Sequence, residues 1–147
     1  MSLLTSAEEI YPGRVVMLDA NLFDVEACST GSPSTRSHYC VCIEAGEGVF
    51  CWLPINSGDS PGRLPIFREE KRGHPNWVNN PKKRSSQGVS YYHPSQVWRL
   101  GLATTLTASV HDLSTPERPN SVEAGCLARI KSECSRTLLR AHLLPPG

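Results

Sequence analysis

Val49-Phe50-Cys51-Trp52-Leu53-Pro54-Ile55-Asn56-Ser57, "VFCWLPINS", is an apolar run that ends in an amide and a hydroxyl. Its aromatic and β-branched residues read as a strand that stops at Pro54 and then exposes an amide and a hydroxyl. An apolar strand anchored in a core would hold the terminal Asn56 and Ser57 rigidly; turn chemistry, which favours Pro, Asn and Ser, accounts for the same composition. Upstream lies a second strand, His38 to Ile43, joined to the first by "EAGEG". Glycines between two β-rich runs make this pair a hairpin.

Further strands are expected at Arg14 to Leu18, Val89 to Tyr92, Gln96 to Leu100 and, by alternation, Leu102 to Val110. "SAEEI" near the start fits a helical turn, and the Ser- and Thr-rich stretch from Asp24 to Ser37 reads as a loop. Asn120 and Glu123 fit a capping box, and Leu127, Ile130, Cys134 and Leu138 recur at helical spacing, so a helix is expected over 120–140. Five to six short strands and one carboxy-terminal helix describe a mainly β domain, either a small bent barrel or a half-open sheet capped by the helix. The 147 residues suit one domain, with the barrel over 10–110.

The formal charge of +1 gives no bulk attraction to nucleic acid or membranes, so any polyanion site must come from local clustering. Such a cluster exists within the 31-residue stretch 58–88, too long for an ordinary connection. Arg63, Arg68, Lys71, Arg72, Lys82, Lys83 and Arg84 face only Glu69 and Glu70, a local charge of +5, with Trp77 and His74 in their midst. Cations beside an aromatic residue form the usual single-strand recipe, phosphate pairing plus base stacking; the plainer reading is a solvated loop with Trp77 tucked against the barrel. Cys40, Cys42 and Cys51 lie in apolar strand-like runs and Cys126 and Cys134 in a helix-like one, and the six cysteines read as reduced core thiols of a soluble, cytoplasmic protein. "CVC" near His38 is a weak zinc signal, because no second cysteine pair follows at ligand spacing.

The order of these pieces resembles the PemK/MazF toxin family. "PGRVVMLDANLF", an arginine before "HYCVCI", a glycine turn, "VFCWLPINS", a basic loop and "YYHPSQVWRL" follow one another as that family's motifs do. The family's opening G-[DE]-[IV]-x-x-[VA]-D corresponds to Gly13 through Asp19, with Arg14 in place of the acid; its P-[IL]-T-S corresponds to Pro54 through Ser57, with Asn56 in place of threonine. Gln96 matches the glutamine of its late motif, and the long loop is closer to ToxN-like relatives.

The resemblance implies a small SH3-like barrel, a homodimer with a protein or RNA antitoxin, and cofactor-free and metal-independent cleavage of single-stranded RNA. It implies Arg36 as the phosphate-binding fork, with Ser57 and Asn56 as hydrogen-bond donors. His38 and His93 are the candidate acid and base groups, with Asp19 and Asp24 as alternative bases. Lys71, Arg72, His74, Trp77, Lys82, Lys83 and Arg84 are the candidate RNA-contacting residues. The competing expectation is a non-catalytic barrel module that binds a protein or nucleic acid, such as a phage or mobile-element inhibitor, through an exposed apolar groove lined by Tyr91, Tyr92, Trp77 or Trp98.

Overall fold

The structure is a computed structural model that describes residues 4–31 and 36–147. After a 3-10 turn at Ala7–Glu9 come β1 (Val15–Asp19), a short helix α1 (Val25–Cys28), β2 (Ser37–Gly46) and β3 (Val49–Asn56). The stretch 58–88 is folded, containing β4 (Leu64–Ile66), β5 (Lys71–Arg72) and α2 (Pro75–Val78). Then follow β6 (Ser90–Tyr92), β7 (Trp98–Gly101), α3 (Leu102–Ala108), β8 (Ser109–Val110), β9 (Ser121–Val122), α4 (Ala124–Glu133) and α5 (Ser135–Ala141).

All pairings are antiparallel, in the order β4-β6-β3-β2-β1-β8 with β7 also on β3, while β5 and β9 form a separate ribbon. The expected hairpin is β2–β3. Its turn is tighter than "EAGEG" implies: Gly46 pairs with Val49, leaving only Glu47 and Gly48, at φ of 53° and 76°. Two successive left-handed residues twist the turn to match its strands. Along its other edge β3 changes partner, Val49 to Trp52 pairing with β7 and Ile55 and Asn56 with β6. Pro54, with no N–H to donate, sits at the break between the two ladders. The sheet is open, since β4 and β8 stand at opposite ends of the strand order.

Burial on both faces explains the unbroken apolar run. Alternate residues Cys51, Leu53 and Ile55 enter one core with Trp77, Ile130, Cys134 and Leu138, whereas Phe50 and Trp52 enter a second with Leu4, Val25, Cys28 and Ala108. A sheet covered on both faces loses the apolar–polar alternation of a half-solvated one. All six cysteines are buried thiols within these two cores.

Several elements differ from the sequence reading: α1 lies inside the 24–37 stretch expected as a loop, and β3 runs through Pro54 to Asn56 instead of stopping there. "LATTLTASV" is a helix followed by a two-residue strand: Thr105 and Ala108 are buried three residues apart, and Thr105 Oγ1 donates to the Gly101 carbonyl. The bond satisfies a hydroxyl that would otherwise be buried without a partner. Asn120 is no cap; it is fully buried, accepts from the His74 amide at 2.8 Å and donates to Asp112, and α4 begins only at Ala124. The helical repeat itself holds, broken at Cys134 into α4 and α5.

Candidate functional site

Because β1, β2 and β3 alternate in direction, the end of β1, the beginning of β2 and the end of β3 meet at one end of the sheet. There a cavity of about 650 Å³ opens. Its floor is Met17, Ser37, Tyr39, Ile55 and Ser90, and Arg36, His38, Asn56 and Ser57 all line it. One wall comes from the basic stretch: Arg63, Asn76, Trp77, Asn80, Lys82 and Lys83. The other comes from His111, Asp112 and Leu113 after β8. Four cations thus face two carboxylates, Asp59 and Asp112. Asp112 is already engaged, its two oxygens accepting from Ser114 and from Asn120.

His38 is half-buried, with Nδ1 3.0 Å from the Ile55 carbonyl. A carbonyl only accepts, so the neutral ring must carry its proton on Nδ1 and its lone pair on Nε2. Burial lowers the pKa below its ordinary 6.5; Arg36, Lys82 and Arg63 lower it further, against the raising effect of the Ile55 bond. The ring is therefore neutral at physiological pH, the form a general base requires.

Asn80, which sequence reading passed over, ties the basic wall to the sheet. Its Nδ2 donates to the carbonyls of Ser57 and Val89, both at 2.8 Å, and to Ser86 Oγ at 3.3 Å. Its φ of 45° is left-handed, a conformation Asn tolerates better than other non-glycine residues. The "NNP" sequence signals a turn here, yet nothing local says which strand the amide will reach. Arg63 also folds back, donating from Nη1 to the Gly58 carbonyl. His111 was missed because "SVHDL" reads as the frayed end of a strand.

Several expected site residues lie elsewhere. His93 does not line the cavity; its Nδ1 meets Ser95 Oγ at 2.7 Å and its Nε2 lies against the turn at Gly62. Lys71 is buried, its ammonium donating to Trp77 O, Gly88 O and Ser90 Oγ and lying 4.6 Å over the Trp77 ring. Trp77 is 1% exposed with Nε1 donating to Ser121, so it is tucked into the core and offers no open face for stacking. Arg72 donates to the carbonyls of Glu69 and Lys71 and pairs with Glu123 at 3.7 Å, outside the cavity. His74 accepts from the Asn76 amide at the start of α2, and Arg84 is exposed beyond the cavity wall. Asp19 and Asp24 cap the turns that follow them, accepting from Asn21 and Ala27.

The "CVC" pair gathers no ligand set with His38. Cys40 and Cys42 point into the second core, and their thiols donate to the carbonyls of His38 and Glu44. Among the described residues no helix is long and apolar enough to cross a membrane. The chain matches no family model and no curated protein.

Proposed function

We propose that the chain is a metal-independent endoribonuclease of the toxin–antitoxin type, cleaving single-stranded RNA in the cavity at the end of the sheet. One observation carries the reading: Arg36, His38, Asn56 and Ser57, at the start of β2 and the end of β3, converge with Arg63, Lys82 and Lys83 on one cavity. In this reading His38 Nε2 takes the proton of the ribose 2′-hydroxyl, and the freed oxygen attacks the adjacent phosphorus. Arg36 grips the phosphorane oxygens as a fork, with Lys82 adding charge and Asn56 and Ser57 donating hydrogen bonds. His111, on the facing wall, is the group placed to give a proton to the departing 5′-oxygen, leaving a 2′,3′-cyclic phosphate.

The frame in this reading is an opened SH3-like barrel of the PemK/MazF kind, working in the cytoplasm as a homodimer under a protein or RNA antitoxin. The break between two ladders along β3 at Pro54 supports it. The alternative, a binding module with an exposed aromatic groove, has less support: Tyr92, Trp77 and Trp98 are each 1% exposed.

The test is incubation of wild-type and Arg36→Ala protein with a long unstructured RNA in EDTA. Discrete cuts ending in 2′,3′-cyclic phosphates are expected from wild type, slowed roughly 10²–10³-fold in the variant. Intact RNA at saturating wild-type protein overturns the catalytic reading.

A further inference from the structure

At the opposite end of the β2–β3 hairpin, three side chains of different chemistry meet. The ligand atoms of Glu44, Cys51 and His142 all lie within 4.8 Å of one another. Two irregularities of the fold create the meeting. The β2–β3 register shifts between Cys42, opposite Trp52, and Glu44, opposite Cys51, so Ile43 is an extra residue. Such a bulge re-aims side chains; in an unbroken ladder Glu44 would stand opposite Phe50 instead. His142 is delivered at the end of α5, its amide bonded to Leu138 and its carbonyl accepting from Arg99 Nη1, which also bonds the Leu144 carbonyl. Arg99 is itself the β7 partner of Cys51, so sheet and helix end are clamped together beside the thiol.

We propose that Glu44, Cys51 and His142 form a zinc site that pins the carboxy-terminal helix to the hairpin, separate from the RNA cavity. A thiolate, an imidazole nitrogen and one carboxylate oxygen are the donor set of a three-ligand zinc centre with water in the fourth position, and the sulfur disfavours magnesium and calcium. Binding opens the Glu44–His142 pair, now at 2.5 Å, and inserts the ion between those two groups and the buried sulfur. The Cys51 thiol gives its proton to solvent as the metal–sulfur bond forms, and no redox change occurs. Cys51 precedes Asn56 by five residues along β3, roughly 16 Å at the usual strand rise. The ion therefore has no part in the proposed cleavage.

Untagged reduced protein is titrated with cobalt(II) and then with zinc against a chromophoric chelator. Wild type should take up one equivalent, show a thiolate-to-cobalt charge-transfer band that zinc abolishes, and melt at a higher temperature with zinc. His142→Gln changes a side chain 44% exposed and so should fold; it should bind at least about ten-fold more weakly. Cys51→Ser should lose the band. RNA cleavage in EDTA should be equal in wild type and His142→Gln, which separates this site from the catalytic reading. No band in wild type, or a band that survives in both variants because the ion sits on other thiols, overturns the proposal.

Discussion

His38 shows how one backbone carbonyl can define a side chain's chemistry. The Ile55 bond fixes the tautomer, and burial with three nearby cations keeps the ring neutral. For a base of lowered pKa, activity falls as pH drops through that pKa, so the acidic limb of kcat/KM should lie below pH 6.5. Lys82→Ala removes one of the depressing charges and should move the limb upward; a limb already above 6.5 in wild type contradicts the assignment. His38→Gln should lower cleavage by about 10² or more while leaving RNA binding near wild type, measured by single turnover and filter binding. Asn56 can donate to a phosphate oxygen from its side-chain amide.

At the scale of elements, the basic stretch is a wall and not a floating loop. Asn80 pins it to β3, Lys71 pins it to β6, and Arg129 of α4 pairs with the carboxylate of Glu70. Asn80→Ala leaves the Ser57 and Val89 carbonyls without their amide donor and puts alanine at a left-handed φ. It should destabilise by about 2–3 kcal/mol and expose the wall to limited proteolysis, with cuts between Gly58 and Gly88. Equal protease resistance in the variant would show that the anchor lies elsewhere. Lys82 and Lys83 lie in the cavity without being part of the wall's anchoring. If both meet phosphates, Lys82→Ala/Lys83→Ala should reduce the log–log salt slope of RNA binding by roughly 1.4.

The whole molecule carries an alkaline weakness. Burial raises every thiol from its ordinary 9.0: Cys28 and Cys51 to about 11, Cys42, Cys126 and Cys134 to about 12, and Cys40 upward as well. Above pH 9 the unfolded chain sheds protons that the folded chain retains, so stability falls as pH rises. Each titrating thiol contributes about 1.4 kcal/mol per pH unit, and several together exceed an ordinary folding free energy within about two units. Lys71 acts with the opposite sign, since burial lowers it from 10.5 to about 8 and the folded state gains relative stability between those values. Urea midpoints under reductant and chelator should therefore rise slightly or hold from pH 8 to 9, then drop steeply toward 11. A flat profile would mean that the thiols are not buried in the folded state.

The sequence by itself determined the β2–β3 hairpin, the reduced cysteines, the helical repeat at the carboxy terminus and the clustering of cations, because each is a matter of local composition and spacing. The resemblance also brought Arg36, His38, Asn56, Ser57 and His93 forward as one candidate group, and of these His93 does not line the cavity. Only the tertiary structure decided that Leu102–Ala108 is a helix, since its pattern satisfies both periods and packing on the second core chooses between them. It likewise separated the seven expected loop contacts into two that face the cavity, Lys82 and Lys83, and five that do not contribute an open cation or ring there. Trp77 lines that cavity from within the core, and Lys71 is spent on the carbonyls of Trp77 and Gly88 and the Ser90 hydroxyl. Burial and hydrogen bonding between distant segments set those outcomes, and neither has a local signature in the residues themselves.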